Sequence, residues 1–421
     1  MRLSKVIAGL LAAGVALLAA GPTAARGGRV PSILPGHVAF GLANSPEAIG
    51  WLKESGVPVE LRYQYLAGGV NTGKGWRTWG PDGSFVSSYA RASRRLGTVA
   101  VFPYYMLLQS RPARGRGEGE RLYNNLNDPE TMRAYYEDFT LLVRRVGEAG
   151  GAIVHVEPDL FGFLQKDYAA GGRKGAGDIP AAVAATGIEE LRDLPDTAHG
   201  FGRALLRLRN RYGPNVLLGI HASHWATGVD VGSSPDPDVD ARDLGGRTAR
   251  FLRGFGDGWD LVFVDPSDRD SAWKEAHWPG QRRHWWDLAD RAYPNFARYR
   301  DWVDAVSTGL DLRVVVWQIP VGNTLYRTLD NTKGHYQDNR AQYFLEQREH
   351  VAEWARAGVV AFLFGAGIGG ATDYLDSRRD GITNPPPING NARESRYADD
   401  DGGYLREAIT RYYREGPVAL P

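Results

Sequence analysis

Two carboxylates stand two residues apart at the end of a short apolar run. The run Ile153-Val-His-Val156 is rich in β-branched side chains, which is typical of a strand. Pro158 has no N–H to donate, so the strand must stop or reach an edge there. Alternation along a strand predicts that Glu157 and Asp159 share one face. Two acids on one tip repel each other, which raises the pKa of one of them and suits it to donate a proton.

Seven more apolar runs, each followed by a helical stretch, accompany this strand. The predicted strands cover 37–42, 57–63, 98–105, 152–157, 216–221, 261–265, 312–317 and 359–364. The predicted helices cover 46–53, 84–96, 128–149, 197–212, 240–255, 294–306, 340–357 and 403–414. Continuous apolar strands are expected when both faces of a parallel sheet are buried. Eight serial βα units predict an α/β fold, a (β/α)8 TIM-type barrel with long decorated loops.

A doubly wound open sheet is the main alternative fold. It would normally carry a glycine-rich phosphate loop after its first strand, and Gly41-Leu-Ala-Asn-Ser-Pro46 has no such fingerprint. The segment 111–119 is interpreted as a flexible loop, and 166–194 as a decoration of the barrel mouth. One barrel domain over 26–421 is therefore predicted.

Composition and the first residues indicate the compartment. A basic start, an apolar run over 6–20 and small residues at 22–25 predict a signal peptide over 1–25 and a secreted, extracellular or periplasmic protein. The apolar run is short for a membrane span, so no membrane attachment is expected after cleavage. The formal net charge of +1 gives no electrostatic case for nucleic acid. The chain has no cysteine, which excludes thiolate metal sites and cysteine nucleophiles.

The predicted strand tips carry most of the residues that could do chemistry. Barrel enzymes act at the C-terminal ends of their strands, so these positions are the candidates. Besides Glu157 and Asp159, they are Arg62, Tyr104, His221, His224, Trp225, Asp265, Trp317, Gln318, Asn323 and Asp380. The opposite rim carries mainly glycines that end helices. This asymmetry indicates one functional rim.

The rim inventory matches the needs of glycoside hydrolysis. Cleavage needs one protonated acid and one carboxylate that acts as base or nucleophile. The acid is predicted as Asp159 or Glu157, and the opposing carboxylate as Asp265 or Asp380. Aromatic rings, amides and histidines on the rim would bind sugar, and no cofactor or metal is expected. The predicted function is a secreted, monomeric glycoside hydrolase that acts on a polysaccharide or oligosaccharide.

Val156-Glu157-Pro158-Asp159 resembles the Glu-Pro-Asp motif of family 6 glycoside hydrolases. Those are cellulases that cut β-1,4-glucan with inversion on a distorted barrel, so the resemblance implies a cellulose-like β-glucan substrate. It also implies that Asp159 is the general acid. Asp380-Gly381-Ile-Thr383 is similar to the family's Asp-Gly-Thr element, which nominates Asp380 as the base. The family carries a further aspartate after its second strand, where this chain has Leu61-Arg-Tyr-Gln-Tyr65.

The large clan of retaining barrel glycosidases offers a second comparison. Those enzymes place an acid glutamate after strand four, often in Asn-Glu-Pro, and Glu157-Pro158 is similar. Their nucleophile is a glutamate after strand seven, where this chain has Gln318. A glutamine cannot act as that nucleophile, so the clan's mechanism does not transfer, and inversion is favoured.

Two other functions fit the same residues. A degenerate barrel could bind carbohydrate without cleaving it. His221, His224 and Asp265 could also supply the three protein ligands that a catalytic zinc site usually draws, which would make a metal-dependent hydrolase or deacetylase. A chelator would abolish the activity of that hydrolase and spare a carboxylate-based glycosidase.

Overall fold

The protein is described by a computed structural model that covers residues 28–280, 284–365, 367 and 369–421. The predicted signal peptide over 1–25 lies outside the described residues. Within them, no helix is both long enough and apolar enough to traverse a bilayer.

The described strands form one parallel sheet that closes on itself. They are β1 (Ala39–Ala43), β2 (Leu61–Tyr63), β3 (Leu66–Ala67), β4 (Val99–Tyr105), β5 (Ile153–Val156), β6 (Leu217–His221), β7 (Leu261–Val264), β8 (Arg313–Ile319) and β9 (Val359–Phe364). The hydrogen-bonded order is β2-β1-β9-β8-β7-β6-β5-β4-β3, and a further β2–β4 pairing closes the ring. β3 is a two-residue continuation that follows β2 along the same neighbour, β4. Counted with β2 and β3 as one, the barrel therefore has eight strands, and the predicted (β/α)8 fold is confirmed.

Helices surround the barrel and connect its strands. They are α1 (Ile49–Ser55), α2 (Ser84–Arg95), α3 (Glu118–Leu126), α4 (Pro129–Glu148), α5 (Leu160–Phe163), α6 (Ala198–Tyr212), α7 (Ala241–Arg253), α8 (Ser271–His277), α9 (Phe296–Leu310), α10 (Arg340–Glu346), α11 (Arg348–Arg356) and α12 (Tyr404–Arg414). Each predicted strand and helix has a counterpart within a few residues.

Two helical features differ from the sequence-based expectation. The helix predicted over 340–357 is split, because Gln347 takes an extended conformation between α10 and α11. The predicted flexible loop over 111–119 ends in α3, which begins at Glu118. The early part of that loop is short and rich in glycine and arginine, which hides the helix start in the sequence.

Strand alternation separates two cores. Ile153 packs in the barrel interior, whereas Val154 and Val156 pack in the layer between the barrel and its helices. The interior cluster also includes Phe263 and Trp317. Side chains on alternate strand positions therefore face different surroundings, and only the interior set can reach the mouth of the barrel.

Gly219 leaves room for this interior packing, and its replacement is expected to destabilise the barrel. A Cβ on Gly219 of β6 would lie 2.3 Å from the Phe263 ring. We expect Gly219→Ala to lower the free energy of unfolding by about 1–3 kcal/mol through overpacking, measured by chemical denaturation. The control is Gly246→Ala in α7, where the nearest atom would be an Arg250 guanidinium nitrogen at 3.6 Å. That variant should be neutral or more stable by up to about 1 kcal/mol, and equal destabilisation of both would contradict the interior assignment.

Candidate active site

A cavity of about 250 Å³ opens where β5, β6, β7 and β8 end. Its walls are built from the ends of these strands and from the loops and the helix α8 that come after them. The lining residues are Asp159, His224, Trp225, Asp230, Ser233, Asp265, Pro266, Ser267, Asp268, Lys274, His284, Trp317 and Gln318. Two of the predicted catalytic carboxylates, Asp159 and Asp265, thus meet in one cavity at the C-terminal rim.

Asp159 enters the cavity from the end of β5. Its backbone has a φ of 72°, and α5 begins at the next residue. Burial raises the pKa of Asp159 to about 7, and the neighbouring Asp265 carboxylate adds to the rise, whereas His221 opposes it. A carboxyl group with this pKa holds its proton in weakly acidic solution, as a general acid must.

Asp265 enters the same cavity from the end of β7, and neighbouring basic side chains stabilise its ionised form. The Nε2 atom of His221 lies 3.3 Å from its Oδ1 atom. Burial alone would raise the pKa of Asp265, but His221, His224 and Lys274 outweigh it and hold the pKa below its ordinary value. Two neighbouring carboxyl groups whose environments push their pKa values apart form the arrangement that acid–base catalysis requires.

Glu157 lies outside this cavity, and the prediction that it shares a face with Asp159 is wrong. β5 ends at Val156, and both Glu157 and Asp159 have left-handed backbone conformations, so strand alternation no longer applies. The fully buried Glu157 accepts hydrogen bonds from the backbone N–H groups of Met106 and Leu107, both at 3.1 Å. Glu157 therefore fixes the segment after β4 and does not line the cavity.

The protonation of Glu157 gives a testable pH effect on stability. Burial raises its pKa to about 8, so the folded protein keeps a proton that the unfolded chain releases near pH 4.5. Its contribution to stability is full below pH 4.5 and is lost as pH rises toward 8, by on the order of 3 kcal/mol at pH 7. Glu157→Gln mimics the neutral carboxyl, and we expect its thermal midpoint to fall less than wild type between pH 5 and 8. An unchanged slope would show that Glu157 is ionised in the fold.

Asp380 is the base that the family resemblance nominates, and it lies elsewhere. Its side chain is 30% exposed, and its Oδ2 atom lies 3.3 Å from Nε2 of His335. The backbone N–H of Ile382 also donates to it. Asp380 does not line the cavity that holds Asp159, so of the two predicted opposing carboxylates Asp265 is the one that lies at this cavity.

Arg62 and Tyr104 lie between the strands and the surrounding helices, and not at the cavity where substrate contacts were predicted. Both are fully buried. Arg62 donates from Nε to Oδ1 of Asn44 at 3.0 Å, and the Tyr104 hydroxyl donates to Oδ1 of Asp138 at 2.7 Å. Their strand positions place them in the layer between barrel and helices, so they stabilise that layer and do not contact a ligand in the cavity.

Asn323 also has a structural role in place of the predicted substrate contact. Its Nδ2 atom donates to the backbone oxygen of Asp401 at 2.9 Å, and its Oδ1 atom accepts from the N–H groups of Leu325 and Tyr326. It is fully buried and does not line the cavity. The loop after β8 uses this amide to bind the C-terminal segment.

Four of the other predicted contact residues lie at the cavity, whereas His221 is fully buried, does not line the cavity and contacts Asp265 from below. Trp317 is only 2% exposed, and His224, Trp225 and Gln318 complete this set. His224 pairs with Asp230, with Nδ1 2.8 Å from Oδ1. Burial acts against the charge of His224, but Asp230 outweighs it and raises the pKa of His224 above its ordinary value.

Gln318 reaches the cavity because β8 is irregular there. The register of β8 against β9 shifts after Val316, and Gln318 has a φ of 59°. Its Nε2 atom donates to the Tyr65 hydroxyl at 2.7 Å. The bulge aims this amide at the rim, as bulges beside active sites commonly do.

The structure places further residues near Asp159 and the cavity. Tyr65, Tyr105 and Glu118 lie close enough to interact electrostatically with Asp159, and the Tyr105 hydroxyl donates to Glu118. Lys274 of α8 lines the cavity, with its Nζ atom 3.3 Å from Oδ1 of Asp268. Glu118 and Lys274 lie on helices that the sequence pattern did not predict. His155 lies below the cavity, and its only signal was a polar residue inside an apolar strand.

The candidate metal ligands are only partly assembled. His221 contacts Asp265, whereas His224 is paired with Asp230. Across the parts of the chain that the structure covers, no group of three or more histidine or acidic side chains is arranged to hold a metal ion.

Comparisons with known proteins return likeness of fold at low identity. No protein-family model matches the chain, and no curated protein matches it. Among solved structures, the GH53 catalytic domain of Ignisphaera aggregans is 12% identical with a TM-score of 0.47, over 91% of this chain and 98% of that one. A family 26 endo-β-1,4-mannanase from Cellulomonas fimi is 10% identical with a TM-score of 0.45, over 92% and 76%.

The family 6 resemblance receives little structural support. The endoglucanase CEL6B of Humicola insolens is 14% identical with a TM-score of 0.30, over 55% of this chain and 59% of that one. Each of these TM-scores is below 0.5.

Proposed function

We propose that this protein hydrolyses glycosidic bonds, with Asp159 as the general acid and Asp265 as the opposing carboxylate. One observation carries the proposal: two carboxyl groups line one small cavity at the C-terminal rim, and their surroundings push their pKa values in opposite directions. Glycoside hydrolysis needs one protonated and one ionised carboxyl group on either side of a scissile bond.

In the proposed reaction, the Asp159 proton passes to the glycosidic oxygen as the bond between that oxygen and the anomeric carbon breaks. Asp265 accepts a proton from a water molecule, whose oxygen forms the new bond to the anomeric carbon. This single displacement inverts the anomeric configuration, as the family resemblance implies. NMR of the first product reads that configuration, and a retained configuration would instead make Asp265 a nucleophile.

The surroundings of the pair support a sugar ligand. The Trp225 ring lies at the cavity wall under the Lys166 ammonium group, with 5.7 Å from Nζ to the ring centroid, and Gln318 offers an amide at the rim. Apolar ring faces and fixed polar groups together are what a pyranose requires of a binding site. We propose a polysaccharide substrate, with cellulose-like β-glucan first on the basis of the motif resemblance, and export of the protein after removal of residues 1–25.

The experiment is release of reducing sugar from a panel of polysaccharides, with and without a chelator. The proposal expects release from at least one glycan at pH 5–6, unaffected by the chelator. Release that the chelator abolishes would favour a metal-dependent hydrolase. Binding without release would favour a carbohydrate-binding barrel, and either result would overturn the proposed chemistry.

A further inference from the structure

A line of ring nitrogens runs through the barrel interior and ends at Asp265. The Nε2 atom of His155 in β5 lies 3.0 Å from the Nδ1 atom of His221 in β6. The other ring nitrogen of His221, Nε2, lies 3.3 Å from Oδ1 of Asp265 after β7. Three neighbouring strands thus place these polar atoms in one line from the core to the rim, with a hydrogen bond between the two histidines and a charge contact, outside hydrogen-bond geometry, between His221 and Asp265.

Both histidines are fully buried. The His155 ring stacks on Phe263, with centroids 4.1 Å apart, and meets the edge of Trp317 at 4.6 Å. Burial, with His221 as a second cause, lowers the pKa of His155 well below its ordinary value. His155 is therefore neutral and carries one ring proton.

The contacts of the two rings favour one distribution of protons over their nitrogens. An ionised carboxylate offers only acceptor oxygens, so at this distance an N–H on Nε2 of His221 is attracted to Asp265 and a bare nitrogen there is repelled. If His221 is neutral, its Nδ1 is bare and accepts from the N–H on Nε2 of His155. The Nδ1 atom of His155 is buried without a partner and, in this arrangement, carries no proton. The reverse arrangement would bury an unpaired N–H at that atom and point a bare nitrogen at the carboxylate.

We infer that His155 is a positioning residue that locks the tautomer of His221, so that His221 presents an N–H to Asp265 and keeps it a carboxylate. The hydrogen bond that one ring nitrogen makes determines which proton the other carries. The catalytic consequence rests on the proposed function, because an ionised Asp265 is what keeps the proton on Asp159. The tautomer itself does not depend on that function.

Other titratable groups also face Asp265, and the test must hold them constant. They are Asp159 after β5, His221 of β6, His224 after β6, Lys274 of α8, Tyr65 after β2 and Tyr299 of α9. None of these residues changes when His155 is replaced. A shift in the titration of Asp265 on that replacement can therefore be assigned to the histidine line.

Three variants separate the effect of His155 on the His221 tautomer from its contribution to core packing. His155→Leu removes the donor, and His155→Gln keeps an N–H near the position of Nε2. Val154→Ala is the matched control, because it truncates the neighbouring residue of β5 that packs in the outer layer. Two-bond ¹H–¹⁵N spectra of histidine-labelled protein report the tautomer of His221, whose signals are assigned by their loss in His221→Gln.

We expect the Nε2–H tautomer of His221 in wild type, Val154→Ala and His155→Gln, and loss of that single tautomer in His155→Leu. The acidic limb of kcat/KM should move up by about one pH unit in His155→Leu and return in His155→Gln. An unchanged tautomer in His155→Leu, or lower stability with an unmoved acidic limb, would overturn the inference. The NMR result stands without any activity, so absence of glycan cleavage would refute the proposed function and leave the lock testable.

Discussion

Replacing Asp159 with Asn is expected to lower kcat for glycan hydrolysis by about 10²–10⁴-fold and to leave the fold intact. That range is typical for loss of a general acid. Asn cannot donate a carboxyl proton to the leaving oxygen, but it is neutral, as the protonated Asp159 is, and it cannot ionise beside Asp265 at higher pH. Stability should therefore stay equal to or above that of wild type. Steady-state kinetics and thermal denaturation measure the two effects.

Substrates with different leaving groups provide the control for Asp159→Asn. An aryl glycoside with an acidic phenol needs no proton to depart, so its cleavage should fall far less than that of the natural glycan. Glu157→Gln is the matched variant, because it changes the other acid of the same motif outside the cavity. If the Glu157 variant loses as much activity as the Asp159 variant, the assignment of the acid is wrong.

Replacing Asp265 with Asn is expected to abolish hydrolysis of both natural and aryl glycosides. The carboxylate that activates water is needed whatever the leaving group, so a loss of at least about 10³-fold is expected for both substrates. Asp380→Asn is the comparison, since the motif resemblance nominates Asp380 and the structure places it beside His335, outside the cavity. That variant should retain activity within about threefold.

The outcome of this comparison separates two accounts of the base. Loss in Asp380→Asn together with retention in Asp265→Asn would support the assignment implied by the motif and contradict the one drawn from geometry. Circular dichroism of both variants provides the folding control. Asp380 also contacts His335, so a destabilised Asp380 variant should be assayed below its unfolding range.

The order of strands and helices was predictable because both leave local signals. Apolar β-branched runs such as Ile153–Val156 and Val359–Phe364 define strands, and glycines such as Gly56, Gly97 and Gly358 end the elements before them. Barrel topology then brings the ends of β5 and β7 to one rim, which is why Asp159 and Asp265 could be nominated from sequence.

Side-chain direction was harder to predict where strands end or bend. Glu157 leaves the expected face because left-handed residues follow β5, and Gln318 reaches the rim only through a bulge. Neither conformation is signalled by glycine or asparagine. Arg62 differs from its expected role for another reason. Its neighbours Leu61 and Tyr63 face the barrel interior. Strand alternation therefore puts Arg62 in the outer layer, away from the cavity, and this signal was present in the sequence. His155 carried the converse signal, because it is in phase with the interior residue Ile153.

The pH dependence of kcat/KM for glycan hydrolysis, compared between wild type and Asp159→Asn, tests the central claim most directly. Asp159 must be protonated, so wild-type activity should fall as pH rises through about 7. Asp265 must be ionised, and because its pKa is held below the ordinary value of 3.8, the acidic limb should lie below about pH 4. The residual activity of Asp159→Asn should lack the alkaline limb. An alkaline limb that persists unchanged in Asp159→Asn would contradict the assignment of the acid and, with it, the proposed chemistry.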